Sequence, residues 1–172
     1  MSQVFDVAVL GATGLVGQTM IELLEERKFP VGTLYPLASE RSAGTTINFK
    51  GEEIEVLNAD DFDWTLVQFG FFSAGGDISA RIAPVAADAG CIVIDNTSHF
   101  RNIPEVPLVV PEVNPHVIST HQGVLASPNC STTQMVLAMK PLHDAGRIRR
   151  VVVSTYQATS GAGAVGERDL EQ

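Results

Sequence analysis

An α/β fold with a doubly wound, mostly parallel sheet is predicted by three features of the chain. Short apolar runs rich in branched residues alternate with stretches whose apolar residues recur at helical spacing. Between the first run and the first such stretch lies Gly11-Ala12-Thr13-Gly14-Leu15-Val16-Gly17, glycine-rich where a strand must turn into a helix. After residue 130 the alternation restarts but offers only one strand and the beginning of a helix beyond its first helix, too little for an independent unit.

Residues 4–10 are the first strand and 16–27 the first helix, which should stop near Lys28 because Pro30 removes a donor and drives Phe29 out of the helical region. Residues 33–38 follow as a strand, closing a right-handed β-α-β unit. Two alternating runs on either side of Gly51 predict a small hairpin within 45–57. Residues 67–72 and 91–95 are two more buried strands, joined by a helix over 78–89 that places Ile82, Val85 and Ala86 inward. Residues 108–111 and 123–126 are the expected last strands of the sheet. A helix over 131–145, with Met135, Leu137, Ala138 and Leu142 to bury, should end at Gly146. Residues 149–157 return to strand character, 160–163 form a loop, and a helix begins within 165–172. The division is therefore 1–130 for a complete first domain and 131–172 for the incomplete start of a second, α+β one.

A formal net charge of -9 sets the surface against polyphosphate backbones and anionic membranes, and Arg147, Arg149 and Arg150 are too few to reverse this. No stretch is long enough to span a bilayer. The chain enters its first apolar run at once, and no secretory leader is expected. Two cysteines, Cys91 and Cys130, make no disulfide framework and fit a reducing, cytoplasmic setting. No metal-binding pattern is expected.

Glycines at the first strand-to-helix turn allow close backbone approach, so free amides at the helix N-terminus can hold a pyrophosphate. A glycine-rich turn alone is equally a plain connection. Its place after the first strand, opening a helix within a β-α-β unit, makes it the signature of a Rossmann-type dinucleotide-binding domain, with Gly11, Thr13, Gly14, Leu15 and Val16 around the ligand. At the end of the second strand, Ser39-Glu40-Arg41-Ser42 bears on the choice of nucleotide. Arg41 between two hydroxyls suits the 2′-phosphate of NADP, while Glu40 would suit the bare ribose of NAD. Ser73 and Gly75, in Phe72-Ser73-Ala74-Gly75-Gly76, follow a later strand at the edge where such sheets bind ligands, although small residues there also suit a turn.

Pro128-Asn129-Cys130-Ser131-Thr132 places a thiol at the start of a helix, where peptide dipoles favour the thiolate and free amides can meet the oxyanion formed when it attacks a carbonyl. Cys91, inside Gly90-Cys91-Ile92-Val93, is expected to be a buried small hydrophobe. Asn129 is placed either to bond substrate or to cap the helix. Arg101, a fork-shaped donor on a polar loop after a strand, suits a phosphate as well as a surface ion pair.

Five motifs in order carry a resemblance: residues 11–17, Ser39-Glu40-Arg41-Ser42-Ala43-Gly44, Asp95-Asn96-Thr97-Ser98-His99-Phe100-Arg101, Pro128-Asn129-Cys130-Ser131-Thr132, and Tyr156-Gln157-Ala158-Thr159-Ser160-Gly161. Together they resemble the aspartate-semialdehyde dehydrogenases over essentially the whole chain. The resemblance implies NADPH-dependent reductive dephosphorylation of L-aspartyl 4-phosphate to L-aspartate 4-semialdehyde, on the route to lysine, methionine and threonine, in a homodimer. It implies that Cys130 forms the acyl-enzyme and that Thr13, Gly14, Leu15, Val16, Arg41, Ser42, Ser160 and Gly161 contact NADP. It also implies that Arg101 binds phosphate and that Gln157 orients the substrate. Members of the family are about twice as long, and their later half supplies a histidine acid/base and an arginine for the substrate carboxylate. His99, His116, His121 and His143 do not match that histidine. The chain alone is therefore expected to lack activity. N-acetyl-glutamyl-phosphate reductase shares the thioester chemistry but differs after its cysteine, and a non-catalytic NADP-binding paralogue is the remaining alternative.

Overall fold

A computed structural model describes residues 3–158. Ser160, Gly161 and the expected helix within 165–172 lie outside the described residues. The first domain is a six-stranded sheet in the order β5-β2-β1-β6-β7-β8, with every pairing parallel. Its strands are β1 (Phe5–Leu10), β2 (Val31–Ala38), β5 (Leu57–Asn58), β6 (Phe69–Phe72), β7 (Ile92–Asp95) and β8 (Val124–Ala126). The predicted doubly wound sheet is thus present. The short hairpin β3 (Thr46–Phe49) and β4 (Glu52–Glu55) forms its own two-stranded sheet, turning on Lys50 and Gly51, both at positive φ.

Helix α1 (Leu15–Glu26) packs Ile21 and Leu24 against Val7, Val9, Val31 and Leu34 on one face of the sheet. It ends as expected, with Lys28 in the left-handed region just before Pro30. Helix α2 (Gly76–Asp88) covers the other face, burying Ser79, Ile82, Ala83 and Ala86. Val85, expected inward, is 59% exposed. The buried positions run i, i+3, i+4, i+7, and Val85 falls outside that stripe. Pro84 sits inside α2 on its exposed side.

Three further expectations are corrected. Residues 108–111 do not form a strand; Leu108 makes one isolated bridge to Ala126, in a segment too curtailed by Pro107 and Pro111 to extend the ladder. In α3 (Cys130–Gly146) no residue is buried, and Leu137, Ala138 and Leu142 are exposed. Residues 149–158 carry no strand, and Val152 and Tyr156 are 80% and 100% exposed. The reason is common to helix and segment: an apolar face or a strand edge is stabilised only by a partner, and none is present among the described residues.

Among the described residues no helix is long and apolar enough to cross a membrane.

Candidate active site

Chain connectivity fixes where ligands can lie. From β1 the chain winds outward through β2 to β5, then returns to β6 and winds the opposite way through β7 to β8. The two halves part between β1 and β6, and the loops beyond their carboxyl ends diverge there, leaving a crevice. Those loops are 11–14 and 73–75.

The crevice is a cavity of about 310 Å³ lined by Gly11, Thr13, Gly14, Ser39, Arg41, Ser42 and Ser73, with Ala38, Ala59, Ile78 and Ile82 supplying apolar wall. The first loop is pinned by Gly11 N and Ala12 N, which both donate to Leu37 O at 2.9 and 3.1 Å. Gly11 has φ +90° and is crowded: a Cβ there would stand 2.9 Å from Ser73 Oγ and 3.0 Å from Ala74 N. A Cβ on Gly17 would collide with the carbonyl of Gly11. Both glycines are thus required for the turn and for seating α1 on it, and the helix N-terminus opens into the cavity as a pyrophosphate needs.

On the loop after β2, Ser42 N and Ala43 N donate to Ser39 O at 2.8 and 3.1 Å, closing a turn that brings Ser39, Arg41 and Ser42 onto the cavity wall. Glu40 is exposed and does not line it. Sequence reasoning missed Asp60 and Arg81, which also line the cavity and pair at 2.6 Å. They lie far apart in the chain on different elements, and no local pattern announces them. Leu15 and Val16 open α1 with exposed side chains outside the cavity lining, and Gly75, at φ +100°, is the N-cap of α2.

Cys130 is the first residue of α3 and is exposed. Asn129 caps the helix: its Oδ1 accepts from Ser131 N at 3.0 Å and Ser131 Oγ at 2.6 Å, with Cys130 Sγ 3.8 Å away. Because α3 follows β8, the thiol belongs to the same carboxyl edge as the cavity. Arg101 follows β7 at that edge. Its Nε donates to Ser127 O at 2.9 Å and a terminal nitrogen to Asn96 O at 3.1 Å, so the guanidinium is fixed two residues before Asn129. Gln157 is exposed, bonds Thr155 Oγ1 at 3.0 Å and is not brought to the cavity. Cys91 is 1% exposed, and burial pushes its thiol up to about 12. Of the histidines, His99 lies edge-on to Phe100, and His121 Nδ1 accepts from Gly123 N at 3.0 Å.

The parallel sheet, the switch-point crevice and the glycine-lined turn define a Rossmann-type NAD(P)-binding domain. The description "Semialdehyde dehydrogenase, NAD binding domain" matches residues 6–121, and "Semialdehyde dehydrogenase, dimerisation domain" matches 139–172. The chain belongs to the semialdehyde dehydrogenase family. An aspartate-semialdehyde dehydrogenase of Shewanella sp. is 59% identical over 165 residues, covering 95% of this chain and 49% of the relative. The crystal structure of aspartate semialdehyde dehydrogenase II of Vibrio cholerae complexed with ASA superposes with a TM-score of 0.95 at 54% identity, over 99% of this chain and 51% of that one. The Candida albicans enzyme, solved with NADP, has a TM-score of 0.69 at 26% identity over 85% and 48%. The chain spans about half the length of the curated relatives it matches.

Proposed function

We propose that this chain supplies the nucleophile and the NADP cradle of an aspartate-semialdehyde dehydrogenase, which converts L-aspartyl 4-phosphate to L-aspartate 4-semialdehyde. The observation that carries the reading is the placement of an exposed thiol, at the first residue of a helix, on the sheet edge that holds the dinucleotide cavity. The proposed domain boundary is 130/131, in the first turn of that helix.

The Cys130 thiolate attacks the acyl carbonyl, the oxyanion meets the amides of the first turn of α3, and collapse expels phosphate to leave a thioester. Asn129 is occupied as the cap and so orients the nucleophile. Arg101, with its guanidinium held by two carbonyls, receives the phosphate. Gln157 orients the substrate in the complete site. When bound, NADPH supplies the hydride that reduces the thioester, and the aldehyde leaves as the thiolate is restored. Gly11, Thr13, Gly14, Leu15 and Val16 take the pyrophosphate side; Ser39, Arg41 and Ser42 take the 2′-phosphate; Ser73 and Gly75 line the opposite loop, and Ser160 and Gly161 join them. NADP is favoured over NAD because Arg41 lines the cavity and Glu40 does not. The acid/base matches no motif position in this chain. The working protein is a cytoplasmic homodimer that uses neither nucleic acid nor membrane.

The test is mass spectrometry of a chain of the relatives' length after incubation with aspartate semialdehyde and NADP+ without phosphate. A thioester on the Cys130 peptide, absent from Cys130→Ser and discharged by phosphate, is the expected result. An adduct elsewhere refutes the assignment.

A further inference from the structure

Asp95 ends β7 fully buried, in a chain that otherwise buries no acidic side chain among the described residues. Taking a carboxylate out of water costs several kcal/mol unless it is bonded throughout. Here every contact is a donor. Ser79 Oγ on α2 donates to Oδ1 at 2.8 Å, Thr97 N donates to the same oxygen at 3.3 Å, and Thr97 Oγ1 donates to Oδ2 at 2.8 Å.

The Thr97 hydroxyl has one proton, and giving it to Asp95 leaves its lone pairs to accept. It accepts from His99 N at 3.3 Å. His99 opens the 3-10 turn His99–Asn102, which carries Arg101. The backbone repeats the connection, since Asp95 O accepts from Ser127 N at 2.8 Å and Ser127 O accepts from Arg101 Nε. Asp95 thus fixes the turn that bears the guanidinium through its carboxylate and, through its backbone carbonyl, the strand end that receives it. Ser79 ties this to α2, whose N-terminus opens at the dinucleotide cavity.

We propose that Asp95, anchored by Ser79 and acting through Thr97, is a positioning residue that holds the Arg101 guanidinium at the carboxyl edge of the sheet. What Arg101 is held for rests on the proposed function; that it is held does not.

The experiment follows water exchange at the Arg101 Nε–H by 15N NMR, in the wild type and in Thr97→Val, Thr97→Ser and Asp95→Asn, with reagent-inaccessible Cys91 as the check that the core is native. Thr97→Val and Asp95→Asn are expected to speed exchange about tenfold, as the loss of one hydrogen bond in a buried relay would. Thr97→Ser, which restores the hydroxyl, should exchange as the wild type does. Unchanged exchange in Thr97→Val with a native core overturns the proposal, as does equal acceleration in Thr97→Ser. Should Asp95→Asn fail to fold, the two Thr97 variants decide alone. Arg101→Ala, assayed separately for inorganic phosphate binding, tests the function of the arginine while leaving Asp95, Thr97 and Ser79 in place.

Discussion

Gly17, in the first turn of α1, lies so close to Gly11 that a Cβ on it would overlap the Gly11 carbonyl. The contact is backbone against backbone, with no flexible side chain to yield. Gly17→Ala is therefore expected to lift α1 off the turn, destabilising the domain by about 1–3 kcal/mol as overpacking does. Nucleotide affinity should fall with it. Denaturant unfolding and NADP titration measure the two; an alanine variant with wild-type stability would mean that the helix seats differently.

Arg41 reaches the cavity wall without a carboxylate partner among the described residues. Arg41→Ala should weaken NADP binding by about 1.5–3 kcal/mol, the range for a hydrogen bond to a charged group, and leave NAD binding nearly unchanged. Calorimetric titration with both nucleotides distinguishes this from general damage to the cavity, which would weaken both alike.

The two thiols should differ in kind. Cys130 is exposed, whereas Cys91 packs beside Gly70 and is held protonated by burial. Alkylation of the native protein should modify Cys130 alone, and Cys91 only on unfolding. Because the folded Cys91 keeps its proton up to about 12 while the unfolded thiol releases it near 9, its contribution is complete below pH 9 and lost as pH rises from there toward 12. The slope is about 1.4 kcal/mol per pH unit. Cys91→Ala should flatten the alkaline limb of the stability curve relative to wild type; parallel limbs would disprove the linkage.

Turnover is expected to need more than these 172 residues. A positioned acid/base contributes about 10²–10⁴-fold, and no motif position here supplies one. Phosphate-dependent NADPH formation from aspartate semialdehyde should be absent from this chain and present in one of the relatives' length. Comparable turnover by both would show that a group already described here moves the proton.

The sequence by itself determined most of the alternation of strands and helices up to β8, the glycine turn, the buried and the exposed cysteine, and the arginine turn after β2, because each is written in neighbouring residues. Periodicity reports burial only where a partner exists, and so it misplaced Leu137 and Leu142 on α3 and drew a strand at 149–157 that has nothing to pair with. Val85 was misread for a different reason: one helical position, 100° of rotation, separates the buried stripe from water. Only the tertiary structure decided that Glu40 turns from the cavity, that Asp60 and Arg81 close its wall, and that Asp95 reaches Arg101 through Thr97. Those relations join residues on separate elements, and parallel strands, each returned by a crossover, are what bring such distant loops to one edge.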